Sequence, residues 1–132
     1  MAYEVTHTDA EWRELLTPDR FRVLRRAGTE PAFANEYWDN HDSGIYRCAG
    51  CDRDLFDSAD KFDSGTGWPS FTRPIDPDAT ETSADSTFGM TRTEVRCARC
   101  GGHLGHLFPD GPAPTYQRYC MNSASLVFEP RS

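Results

Sequence analysis

The five cysteines are the residues of this 132-residue sequence best suited to bind a metal or to react. Four of them form two pairs with two residues between the partners, Cys48/Cys51 and Cys97/Cys100. Each pair can aim both sulfurs at one point, and two such pairs supply the four thiolates of a tetrahedral zinc site. A metal with four protein ligands has no open position for a substrate, so we expect its role to be structural. The fifth cysteine, Cys120, has no partner at this spacing.

Other interpretations of the paired cysteines have less support. A thioredoxin-like redox pair needs a β-α-β context that this sequence lacks. Two disulfides would suit a secreted protein, but the N-terminal stretch MAYEVTHTDAEWRELL carries charges where a signal peptide needs an apolar core. Iron also binds four thiolates, and the sequence does not separate it from zinc. We therefore predict one structural Zn²⁺ ion in a cytoplasmic protein.

Cys120 lies in the strand-like run RYCMNSAS, residues 118–125. Alternation along a strand places Arg118, Cys120 and Asn122 on the same side. A nearby guanidinium lowers the pKa of a thiol and favours the reactive thiolate. Free cysteines are also often buried as small apolar residues, so the local pattern leaves a nucleophile and a core residue both open.

Two further stretches contain candidate site residues. His103 and His106 lie three residues apart in GGHLGHLFPDG. Histidines can donate protons near neutral pH, although either one taken singly also suits a structural role. Trp68 lies in the Gly/Pro turn FDSGTGWPSF. A tryptophan in such a turn either fills the core or forms the wall of an apolar pocket.

Two helical patterns precede these motifs. Thr8 or Asp9 can cap a helix over AEWRELL, and the spacing predicts a shared apolar face for its larger side chains, Trp12, Leu15 and Leu16. A second helix is predicted over TPDRFRVLRRAG, with Thr17 as the N-cap and Gly28 as the C-terminal stop.

From about residue 44 the pattern changes to short apolar or alternating runs separated by Gly, Pro and Asp, which is typical of antiparallel strands. The runs are GIYRC, LFDS, SFTRPI, RTEVRC, HLGHLF and RYCMNSASLVFEP. We predict one mainly β domain over residues 1–132, with a helical segment at 1–29, a connecting arm at 30–43 and a β core at 44–130.

The charge balance restricts the partners. A formal net charge of −7 argues against a zinc-ribbon protein that binds the phosphate backbone of nucleic acid. No run approaches the roughly 18 apolar residues of a membrane span. We therefore predict neither nucleic acid nor membrane as a partner. A non-enzymatic zinc-bearing β module, which binds a ligand or peptide in a tryptophan-lined cleft, remains an alternative to an enzyme.

Four stretches together resemble the B-type methionine sulfoxide reductases, which reduce the R epimer of methionine sulfoxide. They are YRCAGCDRDLFDS, KFDSGTGWPSF, RTEVRCARCGGHLGHLF and RYCMNSASL, and they follow one another in the family order. The resemblance implies a β-tent-like fold of two twisted antiparallel sheets with short N-terminal helices. It also implies that the zinc lies away from the active site. We expect a monomer.

The resemblance implies a role for each candidate residue. Cys120 matches the family's nucleophile, and the residues matched around it are Arg118, Asn122, His103, His106 and the methyl-binding Trp68. The thiolate would attack the sulfoxide sulfur of free or protein-bound substrate while one histidine protonates the oxygen. Cys120 is then left as a sulfenic acid. The non-enzymatic alternative has no need for this whole set.

One position departs from many family members. Where they carry a second, resolving cysteine, this sequence has Thr66. The other four cysteines are taken as metal ligands, so we expect no internal disulfide during turnover. An external thiol, either a thioredoxin-like protein or a small thiol, must then reduce the sulfenic acid.

Overall fold

The computed structural model describes residues 3–87 and 90–131, so residues 1, 2, 88, 89 and 132 of the predicted domain lie outside the described part. Its two helices are α1 (Asp9–Leu15) and α2 (Pro18–Arg26). Its strands are β1 (Gly44–Cys48), β2 (Asp54–Asp57), β3 (Lys61–Phe62), β4 (Ser70–Phe71), β5 (Thr80–Thr87), β6 (Met90–Cys97), β7 (His103–Phe108), β8 (Arg118–Met121) and β9 (Leu126–Pro130).

The strands form two antiparallel sheets, which confirms the predicted fold class. One sheet has three strands in the order β2-β1-β9, and the other has six in the order β3-β4-β8-β7-β6-β5. Phe56 of β2 stacks on Phe71 of β4 with ring centroids 4.4 Å apart, and Tyr46 of β1 meets Phe71 edge-on at 5.1 Å. All three rings are fully buried, so the apolar area that they remove from water holds the sheets together.

Helix α1 begins with a reciprocal cap. The Thr8 hydroxyl accepts from the Glu11 N–H at 3.2 Å, and the Glu11 carboxylate accepts from the Thr8 N–H at 2.8 Å. Trp12 and Leu16 are buried as predicted, but Leu15 is 61% exposed. The predicted three-residue face is wrong at Leu15 because the helix ends there and the chain continues in an extended conformation from Leu16.

Helix α2 begins as the sequence predicts, with Thr17 as the N-cap and Pro18 as the first residue. Its buried side chains are Phe21, Val23 and Leu24. The predicted stop at Gly28 is one residue late. Ala27 takes the left-handed conformation, with φ of 54°, and the following N–H of Gly28 bonds to the Arg22 carbonyl at 2.9 Å.

The run RYCMNSASLVFEP is not one strand. Strand β8 ends at Met121, a 3₁₀ turn occupies Ser123–Ser125, and β9 begins at Leu126. Because β8 pairs in the six-stranded sheet and β9 in the other, the chain crosses between the sheets directly after Met121. The predicted alternation therefore stops at Asn122.

Strand β5 has no counterpart among the predicted strands. Its sequence, TETSADST, contains no large apolar residue, which suits an edge strand that, among the described strands, pairs with β6 alone. The arm at 30–43 contains neither helix nor strand. Among the described residues, no helix has the length and apolar character needed to cross a membrane.

Candidate active site and metal cluster

The four paired cysteines converge on one point. Their sulfurs all lie within 4.8 Å of one another, with Cys48 Sγ 3.7 Å from Cys100 Sγ and Cys51 Sγ 3.5 Å from Cys97 Sγ. Zinc–sulfur bonds of about 2.3 Å in a tetrahedron place the sulfurs about 3.8 Å apart. The cluster therefore fits a structural zinc ion, as the sequence predicts.

The cluster joins the two sheets. Cys48 ends β1 of the three-stranded sheet, and Cys97 ends β6 of the six-stranded sheet. The second member of each pair lies in the turn that follows. Cys48 and Cys97 are fully buried, Cys100 is 2% exposed and Cys51 is half-buried, so the cluster is largely closed to a substrate. A metal held here would stabilise the packing of one sheet on the other.

Cys120 occupies a central position in the six-stranded sheet. The strand register places it directly opposite His106 of β7 on one side and Ser70 of β4 on the other. Directly opposed residues share a face of the sheet, with Cβ atoms about 4.5–5.5 Å apart. Strand pairing thus brings together a thiol and an imidazole that lie 14 positions apart in the chain.

This face of the sheet forms the floor of an open cleft of about 250 Å³. Five of the predicted site residues line it: Trp68, His106, Arg118, Cys120 and Asn122. Thr66 also lines it. Gly105 of β7 lies against β8, where any Cβ would collide with the Cys120 carbonyl oxygen. The close approach of these two strands therefore requires glycine at this position.

The two histidines share a face because of an irregularity in the pairing of β6 with β7. Residues three apart on a regular strand point to opposite sides. Here the register shifts between Val95 and Arg96, and the rings of His103 and His106 lie 5.4 Å apart. Unlike His106, His103 does not line the cleft.

His103 is buried next to a carboxylate. Its Nδ1 lies 2.6 Å from Glu94 Oε2, and its Nε2 is buried without a hydrogen-bond partner among the described residues. Burial lowers the pKa of His103, although Glu94 acts in the opposite direction. The lowered pKa disfavours the protonated form of His103.

His106 is oriented by a residue of β5, the strand that was not predicted from the sequence. Its Nε2 lies 3.0 Å from Asp85 Oδ2, and this carboxylate also contacts the Arg92 guanidinium at 3.4 Å. Asp85 belongs to β5, and Arg92 to β6. The hairpin of β5 and β6 thus fixes the ring of the cleft histidine.

Arg118 is held rigidly beside Cys120. Its guanidinium forms two hydrogen bonds to the Asp110 carboxylate, at 2.8 and 3.1 Å, and lies 4.3 Å over the Phe108 ring. Asp110 also raises the pKa of Arg118, so the guanidinium keeps its charge. The paired carboxylate fixes the direction in which this charge faces the thiol.

Burial raises the pKa of the Cys120 thiol, although the Arg118 charge and hydrogen bonds from Thr66 and Ser70 lower it. The expected influence of Arg118 is present, but its net outcome differs from the prediction, because loss of hydration outweighs it. Thr66 and Ser70 both contact Ser64, with oxygen–oxygen distances of 2.8 Å. Hydroxyl groups thus lie beside the Cys120 thiol.

The arm at 30–43 positions two of the site residues through Glu30. The Glu30 carbonyl accepts from Trp68 Nε1 at 2.9 Å, and its N–H donates to Asn122 Oδ1 at 3.2 Å. Its buried carboxylate accepts from the N–H groups of Ser123 and Ala124. Burial raises the pKa of this carboxyl, although both N–H groups act against the shift.

Sequence reasoning identified none of the four carboxylates that orient the site, namely Glu30, Asp85, Glu94 and Asp110. No motif marks them, because each acts across strands or from the irregular arm. Glu94 and Asp110 had weak signals, since Glu94 lies inside the predicted strand RTEVRC and Asp110 inside the histidine stretch GGHLGHLFPDG.

Comparison with known proteins agrees with this geometry. Residues 16–130 match the SelR domain. The chain is 57% identical over 127 residues to the peptide methionine sulfoxide reductase MsrB of Agrobacterium fabrum, which covers 96% of this chain and 94% of the relative. It is 56% identical to the protein of the same name from Thiobacillus denitrificans over 131 residues, 99% of each chain. The chain therefore belongs to the SelR domain family, that of the MsrB peptide methionine sulfoxide reductases.

Proposed function

We propose that this chain reduces the R epimer of methionine sulfoxide, in proteins and as the free amino acid, with Cys120 as the nucleophile. The observation that carries the proposal is the strand register, which sets Cys120 directly opposite His106 in a cleft walled by Trp68. The names of the 57% and 56% identical relatives support the same reaction. Such a reaction would repair methionine residues that have been oxidised.

In the proposed reaction, the Cys120 sulfur attacks the sulfoxide sulfur, so a sulfur–sulfur bond forms while the protonated oxygen leaves as hydroxide. The hydroxide then attacks the Cys120 sulfur, and the sulfur–sulfur bond breaks to release the thioether. The products are methionine and a Cys120 sulfenic acid, so the oxygen passes from substrate to enzyme. Since burial raises the pKa of Cys120, the resting enzyme holds this proton as a thiol near pH 7. The attacking thiolate forms when that proton leaves for a neighbouring base.

We assign the proton transfer to His106. It lies opposite Cys120 in the register and lines the same cleft, so it can accept the thiol proton and deliver it to the sulfoxide oxygen. Asp85, 3.0 Å from Nε2, holds the ring in place. His103, buried against Glu94 behind this ring, acts as a positioning residue.

The remaining cleft residues orient the substrate. Trp68, fixed by its hydrogen bond to the Glu30 carbonyl, presents an apolar surface to the S-methyl group. The Arg118 charge stabilises the Cys120 thiolate as it forms. Asn122, held between Glu30 and the Leu104 carbonyl, fixes the chain directly after the nucleophile. A handed arrangement of this kind favours one sulfoxide epimer.

An external thiol completes the cycle. Two thiols reduce the sulfenic acid to the Cys120 thiol, become a disulfide and release the oxygen as water. Thr66 supports this step, because a hydroxyl stands in the cleft where a resolving cysteine would close an internal disulfide. The reductant would be a thioredoxin-like protein or a small thiol. The zinc ion would supply structure alone.

The proposal also includes the location, the oligomeric state and the domain organisation of the enzyme. We infer a cytoplasmic monomer in which residues 1–132 form one domain, with the catalytic core at 44–130. A cytoplasm rich in reduced thiols would supply the reductant and keep the metal ligands from forming disulfides.

The deciding experiment measures reduction of each epimer of N-acetyl-methionine sulfoxide amide with dithiothreitol as reductant. Turnover is expected for the R epimer alone, and it should disappear in the matched Cys120→Ser variant. Equal inactivity of the two proteins toward the R epimer would contradict the proposal. The mass of the oxidised wild-type enzyme checks the reductant step, since a stable internal disulfide would be two hydrogens lighter than the reduced chain.

A further inference from the structure

A second concave surface shares a wall with the Cys120 cleft. We call it the aromatic groove: it has a volume of about 140 Å³ and is formed by Phe33, Trp38, Asp39, Asp63 and Trp68. Trp68 also lines the cleft, so the two surfaces meet at this ring. A substrate segment whose oxidised methionine enters the cleft would therefore bring a neighbouring residue to the groove.

Specific contacts fix the position of Phe33 in the groove. Phe33 is 56% exposed, although its backbone has a φ of 60°, a conformation unfavourable for a bulky residue. Its N–H bonds to the Gly67 carbonyl at 2.8 Å, and its ring lies 5.0 Å from that of Trp38, edge to face. A Cβ at Gly67 would stand 2.6 Å from the Phe33 ring. A strained, exposed aromatic residue beside an active site suggests a binding role.

The rim of the groove is acidic. The carboxylates of Asp39 and Asp63 are 65% and 75% exposed, and the exposed His41 ring lies between them, at 3.7 and 3.2 Å. Lys61, the one lysine of the sequence, donates to the Trp38 carbonyl at 3.4 Å, and its charge also interacts with both carboxylates, which stay mostly exposed. The lining of the cleft includes Arg92 and Arg118 instead. The two sides of Trp68 thus differ in charge.

We propose that the aromatic groove binds the side chain of a lysine or arginine next to the oxidised methionine in a peptide substrate. This inference rests on the proposed function. A long aliphatic stem can pack on the rings, and its cationic end is attracted both by the ring faces and by the Asp39 and Asp63 carboxylates. Adjacent residues of a peptide lie about 3.8 Å apart, so a residue next to the sulfoxide in the cleft lies near Trp68, which lines both surfaces.

The test compares three peptides of the form Gly-X-Met(O)-X-Gly, each with the R sulfoxide, in which X is Lys, Leu or Glu. With dithiothreitol as reductant, kcat/KM is expected to be about tenfold higher for Lys than for Glu, mainly through KM. Raising the salt concentration to about 0.5 M should reduce this preference, because exposed charges are screened.

Two variants test whether the aromatic groove causes the preference for the Lys peptide over the Glu peptide. Asp39→Asn with Asp63→Asn should remove most of the Lys-over-Glu ratio, and Phe33→Ala should weaken binding of both the Lys and the Leu peptides. The matched control replaces two exposed carboxylates elsewhere, Glu14→Gln with Glu129→Gln, and should keep the ratio. Circular dichroism confirms that each variant is folded.

The outcomes separate this inference from the proposed function. If kcat/KM for the three peptides agrees within about twofold, the groove does not select a flanking lysine and the inference is wrong. It is also wrong if the preference for the Lys peptide survives in both groove variants. Slower turnover of the groove variants with thioredoxin, but not with dithiothreitol, would assign the surface to the reductant and also overturn the inference. Inactivity of the wild type toward the unflanked R sulfoxide would instead contradict the proposed function.

Discussion

Cysteine side chains have different surroundings in the two regions that contain them, the metal cluster and the Cys120 cleft. In the metal cluster, four sulfurs face one another within 4.8 Å, three of the four cysteines are almost fully buried, and the ligands join the two sheets. In the cleft, a single sulfur faces an imidazole, a guanidinium and hydroxyl groups, with an opening for a substrate. In the metal cluster all four thiols stabilise the fold, whereas in the cleft one thiol can react with a substrate.

The difference shows how environment assigns a role to the same side chain. A thiolate bound to zinc has its charge neutralised and its position fixed, so it is inert. Cys120 has no such partner, and burial keeps it protonated until a base accepts its proton. Separate disruption of each region should therefore produce separate defects, in stability for one and in activity for the other.

Loss of a metal ligand should give the largest effect. We expect Cys97→Ser to abolish stoichiometric zinc binding and the cooperative thermal transition, because four-thiolate ligation contributes about 10–16 kcal/mol of apparent free energy. Metal analysis and calorimetry of the purified protein provide the measurements. A zinc-free variant with an unchanged Tm would show that the sheets hold together without the cluster.

Removal of the cleft thiol should have the complementary effect. Cys120→Ser is expected to reduce kcat/KM toward the R sulfoxide by at least about a thousandfold, because a hydroxyl is a far weaker nucleophile. Zinc content and Tm should match the wild type, since Cys120 lies outside the cluster. Loss of zinc from this variant would mean that the two regions are coupled.

Glu30→Gln tests the support of the cleft. The amide offers one acceptor oxygen where the carboxylate offers two, so one N–H of Ser123 or Ala124 loses its partner. We expect kcat/KM to fall about tenfold and the free energy of unfolding to fall by about 1–3 kcal/mol. The exposed control Glu14→Gln should change neither. An unaltered kcat/KM would separate Glu30 from the positioning of Trp68 and Asn122.

The reactivity of Cys120 should depend on pH in a defined direction. Because burial raises its pKa, alkylation by iodoacetamide should rise with pH to a midpoint above that of an ordinary thiol. Arg118 lowers this pKa, so Arg118→Met should move the midpoint further upward and slow alkylation at pH 8 several-fold. Lys61→Met, a control that removes a positive charge from outside the cleft lining, should leave the midpoint unchanged. A downward movement in Arg118→Met would contradict the assigned influence of the guanidinium.

Much of both regions could be predicted from local patterns. The spacing of Cys48/Cys51 and Cys97/Cys100 predicts the cluster because a short turn fixes the distance between two sulfurs. The caps at Thr8 and Thr17 predict the helix starts, since a cap involves only neighbouring residues. Strand β5 and the end of β8 at Met121 escaped prediction, because an edge strand and a change of sheet depend on distant partners.

By itself, the sequence determined the four metal ligands, the solitary position of Cys120 and the absence of a second cysteine at Thr66. Only the tertiary structure decided which groups surround that thiol. Strand register selected His106 to face it, a register shift placed His103 behind, and carboxylates from a polar edge strand and an irregular arm fixed the geometry. Burial then reversed the direction of the thiol's pKa shift, because desolvation depends on everything packed around a group.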